Sequence, residues 1–199
     1  MKESCSPLIK RFELQISEAG QRGSEAVYAH LMNGEPLPVD RFAELLHMDA
    51  AEAQEALASY GEVDAQGRVV GFLGLSLVPT QHKLIVQNRT LYTWCAADAI
   101  LLPQFLSFSA LIESKDPVNG ELIKLSVNED FLEWTDPVPL SVSWVEDADS
   151  CHISDSFCQR SHFFANQETA AKWLSENPDA KISHVEDFYT FVRGGRGCC

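Results

Sequence analysis

Leu91-Tyr92-Thr93-Trp94-Cys95-Ala96-Ala97-Asp98-Ala99-Ile100-Leu101-Leu102 is where a strand-like segment gives way to an unbroken apolar run. The run reads as a helix too apolar to lie on a surface, fed directly by a strand. Thr93 is the expected N-cap, which sets Cys95 in the first turn, where free amides and the helix dipole favour a thiolate. Cys95 and Asp98, three residues apart, then share one helix face. A carboxyl group in such a run is costly to bury without a partner or a task. The plainer alternative makes Cys95 a small buried hydrophobe, the common fate of free cysteines; Asp98 argues against it.

Upstream, the chain reads as helical. Ser6 and Pro7 start a helix striped by Leu8, Ile9, Phe12 and Ile16 before Gly20, and Ser24 opens a second that stops at Asn33-Gly34. Asp40 caps a short helix with Phe42, Leu45 and Leu46, and Asp49 with Glu52 forms a capping-box start to another through Leu57. After the turn Asp64-Ala65-Gln66-Gly67, Val69 to Val78 suggest a β-ribbon. Residues 1–80 thus resemble a winged helix-turn-helix. The helix that should enter a DNA groove, however, carries Asp49, Glu52 and Glu55 and no basic residue, so phosphates would be repelled. The expectation is a packing or lid module that does not bind DNA.

Downstream, Ile85-Val86 leads into Leu91-Tyr92, and the apolar helix is expected from Trp94 to about Leu106, bent or shortened by Pro103. Phe108, Ala110 and Ile112 alternate, as do Ile123, Leu125 and Val127, around a loop holding Asn119-Gly120, which signals a hairpin. Leu140, Val142 and Trp144 give a half-buried strand and His162-Phe163-Phe164 a short central one. Asn166 is positioned to cap a helix with Ala170, Trp173 and Leu174, and a last helix carries Phe188, Tyr189 and Val192 to Gly194-Gly195. The fold class is α+β: a helical module over 1–80, then a mixed, largely antiparallel α/β catalytic domain over 81–199.

A formal charge of -14 on 199 residues excludes most nucleic-acid and anionic-membrane partners, which demand clustered Lys and Arg. A hydrophobic share of 45% with eleven Phe points to an ordered core. No segment has the length of a membrane span and the start lacks a secretion signal, so a cytoplasmic location is expected. The six cysteines then read as reduced thiols rather than a disulfide framework.

Cys158, in Ser156-Phe157-Cys158, is the second thiol of interest, with His162 four residues on. Cys95, Asp98, Cys158 and His162 would make a legitimate tetrahedral zinc set, although neither segment has the C-x-x-C spacing of structural zinc. A non-enzymatic thiol metal sensor is the other rival, and it needs a basic surface that the first module lacks. His162 is otherwise a core residue.

Taken together, Leu91 to Asp98, Ser156-Phe157-Cys158 and His162-Phe163-Phe164-Ala165 resemble alkylmercury lyase, the organomercurial lyase of bacterial mercury resistance. The resemblance covers nearly the whole chain and is most specific at the two cysteine motifs. It implies protonolytic cleavage of the carbon–mercury bond of R–Hg–X to hydrocarbon and Hg(II), with Cys95, Cys158 and Asp98 as the reacting groups. Mercury is soft and prefers thiolate to oxygen or nitrogen donors; the helix-start position suggests that Cys95 takes it first. Asp98 then relays a proton to carbon, and Trp94 and Phe157 are candidate pocket walls. No resident cofactor is expected. External thiols would release Hg(II), which the resemblance implies passes to mercuric reductase or cellular thiols. Cys198-Cys199 at the tail reads as a frayed end or a mobile mercury relay; Cys5 and Cys151 read as ordinary thiols. Two positions depart from the family: Gln159 replaces a cysteine that often follows the second catalytic one, and the loop around Asp116 lacks a further cysteine.

Overall fold

The computed structural model describes residues 18–128, 130–134, 140–145 and 156–195, with side chains except at 18–22, 134 and 192–195. The Ser6-Pro7 helix start, its stripe Leu8, Ile9, Phe12 and Ile16, and Cys5, Cys151, Cys198 and Cys199 lie outside the described residues. Helix α1 spans Glu18–Leu31. It therefore does not open at Ser24 but runs through Gly20 and Gly23. Gly23 serves packing: a Cβ there would lie 2.3 Å from the Leu45 carbonyl oxygen. The helix ends as expected at Asn33-Gly34, with Gly34 at φ 82°.

After strand β1 (Leu37–Pro38) comes α2 (Val39–Leu46), whose N-cap is Pro38 rather than Asp40. Asp40 sits inside the first turn, where a carboxylate complements the dipole. Helix α3 (Ala50–Tyr60) carries the capping box of Asp49 and Glu52 in full. Then β2 (Gly61–Val63), β3 (Arg68–Phe72) and β4 (Leu75–Ser76) form the anticipated ribbon. β3 and β4 are joined by Leu73-Gly74 alone, at φ 44° and 95°. A two-residue hairpin loop takes positive φ at both positions to match strand twist, and Leu is an unusual choice for it.

The sheet continues through β5 (His82–Val86), β6 (Arg89–Thr93), β7 (Ala110–Lys115), β8 (Leu122–Val127) and β9 (Leu132–Trp134). Its order is β1-β3-β4-β6-β5-β7-β8-β9 with β2 on β3, and every pairing is antiparallel. The residue 80 boundary falls between β4 and β5, yet β4 pairs with β6, so ladder hydrogen bonds cross it. The expected hairpin is present in register, with Ala110, Ile112 and Ser114 opposite Val127, Leu125 and Ile123.

Between β6 and β7 runs α4 (Ala96–Phe105), the apolar helix of the opening stretch. Ala96 through Gln104 are all buried, and Pro103 is accommodated inside it. The helix packs on β5 to β8 on one side and on β10 (Ser141–Trp144) on the other. β10 centres a second, three-stranded sheet between β11 (Phe163–Phe164) and β12 (Lys181–His184). β11 is therefore an edge strand, where a central one was expected. Asn166 caps α5 (Gln167–Glu176) by accepting from the Thr169 amide at 3.0 Å, and α6 (Val185–Gly195) is the last described element. The architecture is α+β, with mixed helices on antiparallel sheets. Among the described residues no helix is long and apolar enough to cross a membrane.

Candidate functional site

Cys95 is the N-cap of α4, not a first-turn residue as the sequence suggested. Thr93 stays in β6, and its hydroxyl donates to the Cys95 carbonyl at 3.0 Å, fixing the strand-to-helix corner. The Cys95 Sγ takes the role a serine oxygen usually fills, accepting from the Asp98 amide at 3.5 Å. An amide and the positive helix end both reach the sulfur.

Asp98 lies one turn on, fully buried. Its Oδ2 accepts from the Cys95 thiol at 3.0 Å and from the Cys158 thiol at 3.6 Å. The two sulfurs and the carboxylate oxygen all lie within 4.8 Å of one another. Two thiols thus share one proton acceptor.

Cys158 begins a 3-10 turn, Cys158–Arg160, which is braced from several sides. The Ser143 hydroxyl donates to the Arg160 carbonyl at 2.8 Å, and Arg160 forks onto Asp179, with both contacts at 2.5 Å. The decisive tie is Ser161. Its carbonyl accepts from the Ala96 amide at 3.1 Å and its hydroxyl from the Ala97 amide at 3.0 Å. Both amides are helix-start donors with no partner inside the helix, so the Cys158 segment caps the helix that carries Cys95. Sequence reading passed over Ser161, because its partners are distant backbone groups.

A second unanticipated contact comes from the β3–β4 hairpin. A Cβ on Gly74 would lie 2.6 Å from Asp98 Cγ and 2.8 and 2.9 Å from its oxygens. The Gly74 carbonyl also accepts from the Trp94 amide at 2.9 Å, and Leu73 bonds back to Tyr28 and Tyr60. The hairpin tip therefore packs directly on the Asp98 carboxylate and leaves no room for a side chain at position 74.

Above the site lies a cleft of about 280 Å³ lined by Ala58, Ser59, Gly61, Glu62, Thr80, Trp94, Cys158 and Gln159. Trp94 belongs to its wall, and its indole N–H is buried without a hydrogen-bond partner. Phe157, the other candidate wall, is 2% exposed and packs in the core instead. Cys158 reaches the cleft, whereas Cys95 is 0% exposed. The cleft therefore opens onto the Cys158 sulfur rather than that of Cys95.

His162 does not join the cluster. Its Nε2 donates to the Gln159 carbonyl at 2.9 Å and its Nδ1 is buried without a partner, so the four-ligand zinc set loses a member. Burial lowers its pKa, opposed by the Gln159 carbonyl and the Asp116 charge. His82, packed beside it, is pushed down to about 3 by burial, with the charge of His162 adding to the effect. The loop around Asp116, where a cysteine is missing, is held by that carboxylate, which accepts from the Val118 and Ala165 amides and the Thr169 hydroxyl. The metal-sensor alternative gains nothing: α3 exposes Glu52 and Glu55 and has no basic residue.

Fold and site define a buried dithiol–carboxyl centre on an α+β scaffold, suited to a soft metal and a proton. Residues 75–194 match the family described as alkylmercury lyase, MerB. The chain is 33% identical to the alkylmercury lyase of Bacillus cereus over 97% of this chain and 91% of that protein. It is 31% identical to that of Staphylococcus epidermidis, over 93% and 90%, and 33% to that of Streptomyces lividans, over 82% and 76%. The crystal structure of a mercury-bound form of MerB2 has the same fold, with a TM-score of 0.77 at 24% identity over 96% of this chain and 98% of that one. The chain belongs to the alkylmercury lyase family.

Proposed function

We propose that this protein is an organomercurial lyase in which Cys158, Cys95 and Asp98 cleave the carbon–mercury bond by protonolysis. The observation that carries the reading is the shared acceptor: Asp98 Oδ2 takes hydrogen bonds from both thiols. Cys158, which lines the cleft, exchanges for X in R–Hg–X, and its proton leaves with X as HX. Cys95 then adds to the same mercury and passes its proton to Asp98, 3.0 Å away. Two sulfur donors push electron density toward carbon, the C–Hg bond breaks, and Asp98 hands the proton to the departing carbanion. The products are R–H and Hg(II) on two thiolates, so protons and charge balance.

A relay is needed on energetic grounds. An ordinary carboxyl group of pKa about 3.9 is protonated roughly once in a thousand at pH 7, and relying on that fraction would cost about 4 kcal/mol of barrier. Taking the proton from a thiol as it binds metal avoids most of that cost.

No resident cofactor is needed; external thiols remove Hg(II), with mercuric reductase or small cytoplasmic thiols as recipients. The described part of the first module, residues 18–80, serves as a winged-helix-like cover, supported by the contribution of Ala58, Ser59, Gly61 and Glu62 to the cleft. The test is incubation with phenylmercury and excess thiol, with benzene as the readout. Cys95→Ser and Cys158→Ser should each release none. Asp98→Ala should bind Hg(II) stoichiometrically but turn over little, and full activity in that variant would rule out the relay.

A further inference from the structure

Resting on the lyase reading, we propose that Glu62 selects among organomercurials by charge, disfavouring those whose organic group carries a carboxylate. Among the described residues, Glu62 is the only ionisable carboxyl that lines the cleft, and no Lys, Arg or His lines it. Its position is built rather than incidental. Gly71 stands opposite it in the β2–β3 ladder, and a Cβ there would lie 2.2 Å from Glu62 Oε2. Fully buried Ser76 donates its hydroxyl to the same oxygen at 2.5 Å. Among the described residues no Lys or Arg pairs with Glu62. Its carboxylate is therefore held against the sheet with no cationic partner among the described residues.

The cleft is small for a ligand pocket, and Cys158 opens into it. When mercury sits on Cys158, its organic group occupies that space. Any charge on the group then lies within about one Debye length, 8–10 Å, of Glu62. A carboxylate on the ring meets like charge with little water between; a neutral ring does not. The chain's formal charge of -14 acts in the same direction but from all sides. A substitution at Glu62 separates the local effect from the global one.

The experiment compares phenylmercury with 4-carboxyphenylmercury, both presented with 2-mercaptoethanol so that X is the same neutral-chain thiol. Two rates are read for each: consumption of protein thiols on mixing, and hydrocarbon release at steady state. The native protein should prefer phenylmercury about tenfold in kcat/KM and in thiol consumption. Glu62→Gln, which keeps the hydrogen bond to Ser76, should shrink that ratio to about threefold or less, with the change in KM rather than kcat. Raising salt from about 0.01 M to about 0.5 M should shrink the ratio in the native protein as well, whether or not the variant folds. Discrimination that ignores salt, or that persists in Glu62→Gln while salt still shrinks it, overturns the proposal, because salt screens the global charge as well as the local one. Charge-selective thiol consumption with no hydrocarbon released would instead refute the lyase reading and leave the role of Glu62 standing.

Discussion

Gly74→Ala tests whether the hairpin tip sets the position of the proton carrier. The new methyl would start 2.6 Å from Asp98 Cγ, while ordinary contact begins near 3.4 Å, so one side must yield by about 0.8 Å. The hairpin is poorly placed to yield: the Gly74 carbonyl holds the Trp94 amide, and Leu73 is bonded at both ends, to Tyr28 and Tyr60. The carboxyl group therefore moves, and its 3.0 Å contact with Cys95 is lost. Misplacing a reacting group by about 1 Å can cost roughly 100-fold in rate. Alanine at φ 95° adds backbone strain of about 1–3 kcal/mol, which should lower Tm without unfolding the protein. Stoichiometric Hg(II) binding, followed by thiolate-to-mercury absorbance, should survive because neither sulfur is touched. Benzene release should fall about 100-fold in kcat. A variant with native kcat, or one that loses Hg(II) binding while folded, would refute the steric account.

Ser161→Ala removes the hydroxyl that caps the Ala97 amide and should cost about 1 kcal/mol by denaturant titration, with a larger loss in kcat than in Hg(II) binding. If Cys158 is the first thiol to meet mercury, Cys95→Ser should still take up phenylmercury rapidly, whereas Cys158→Ser should do so slowly; equal uptake rates would remove the assigned order. His82 has a folded pKa of about 3 against 6.5 ordinarily, so below pH 6.5 the unfolded chain holds the extra proton. Stability should be full above pH 6.5 and fall on acidification at up to about 1.4 kcal/mol per pH unit, with His162 acting in the same sense. His82→Gln should flatten that slope, and a native protein equally stable at pH 6.5 and about 5 would contradict the buried neutral imidazole.

Local signals were readable where one stretch of chain supplies all the parts. The Asp49–Glu52 capping box, the Asn166 cap and the register around Asn119-Gly120 each depend on residues close in sequence, and all are present. Donor chemistry allowed Cys95, Asp98 and Cys158 to be grouped, with His162, only as one possible zinc set; their assignment as three reacting groups rests on family resemblance, since no local pattern says that two distant segments meet. Features built from contacts between segments were not legible. Leu73-Gly74 hides a tight turn, because Leu gives no hint of positive φ. Gly20 and Ser24 read as the end of one helix and the start of the next, yet α1 runs through both, and Gly23 is where it approaches the backbone of α2. β12 escaped because Lys181–His184 lacks a buried face. The N-cap shifted from Thr93 to Cys95 because the strand pairing of Thr93 with Leu75 and His82 outweighs its capping preference.

That the two sulfurs ride on different stretches of polypeptide has a thermodynamic corollary for turnover. A mercury ion spanning them is a clasp across the fold, joining the start of α4 to the turn beside β11. Because the clasp exists only in the native arrangement, the loaded protein should melt at a higher temperature than the empty one. On the proposed mechanism the protein would thus be most rigid once its chemistry is done, and an incoming thiol would have to unfasten it before the next cycle.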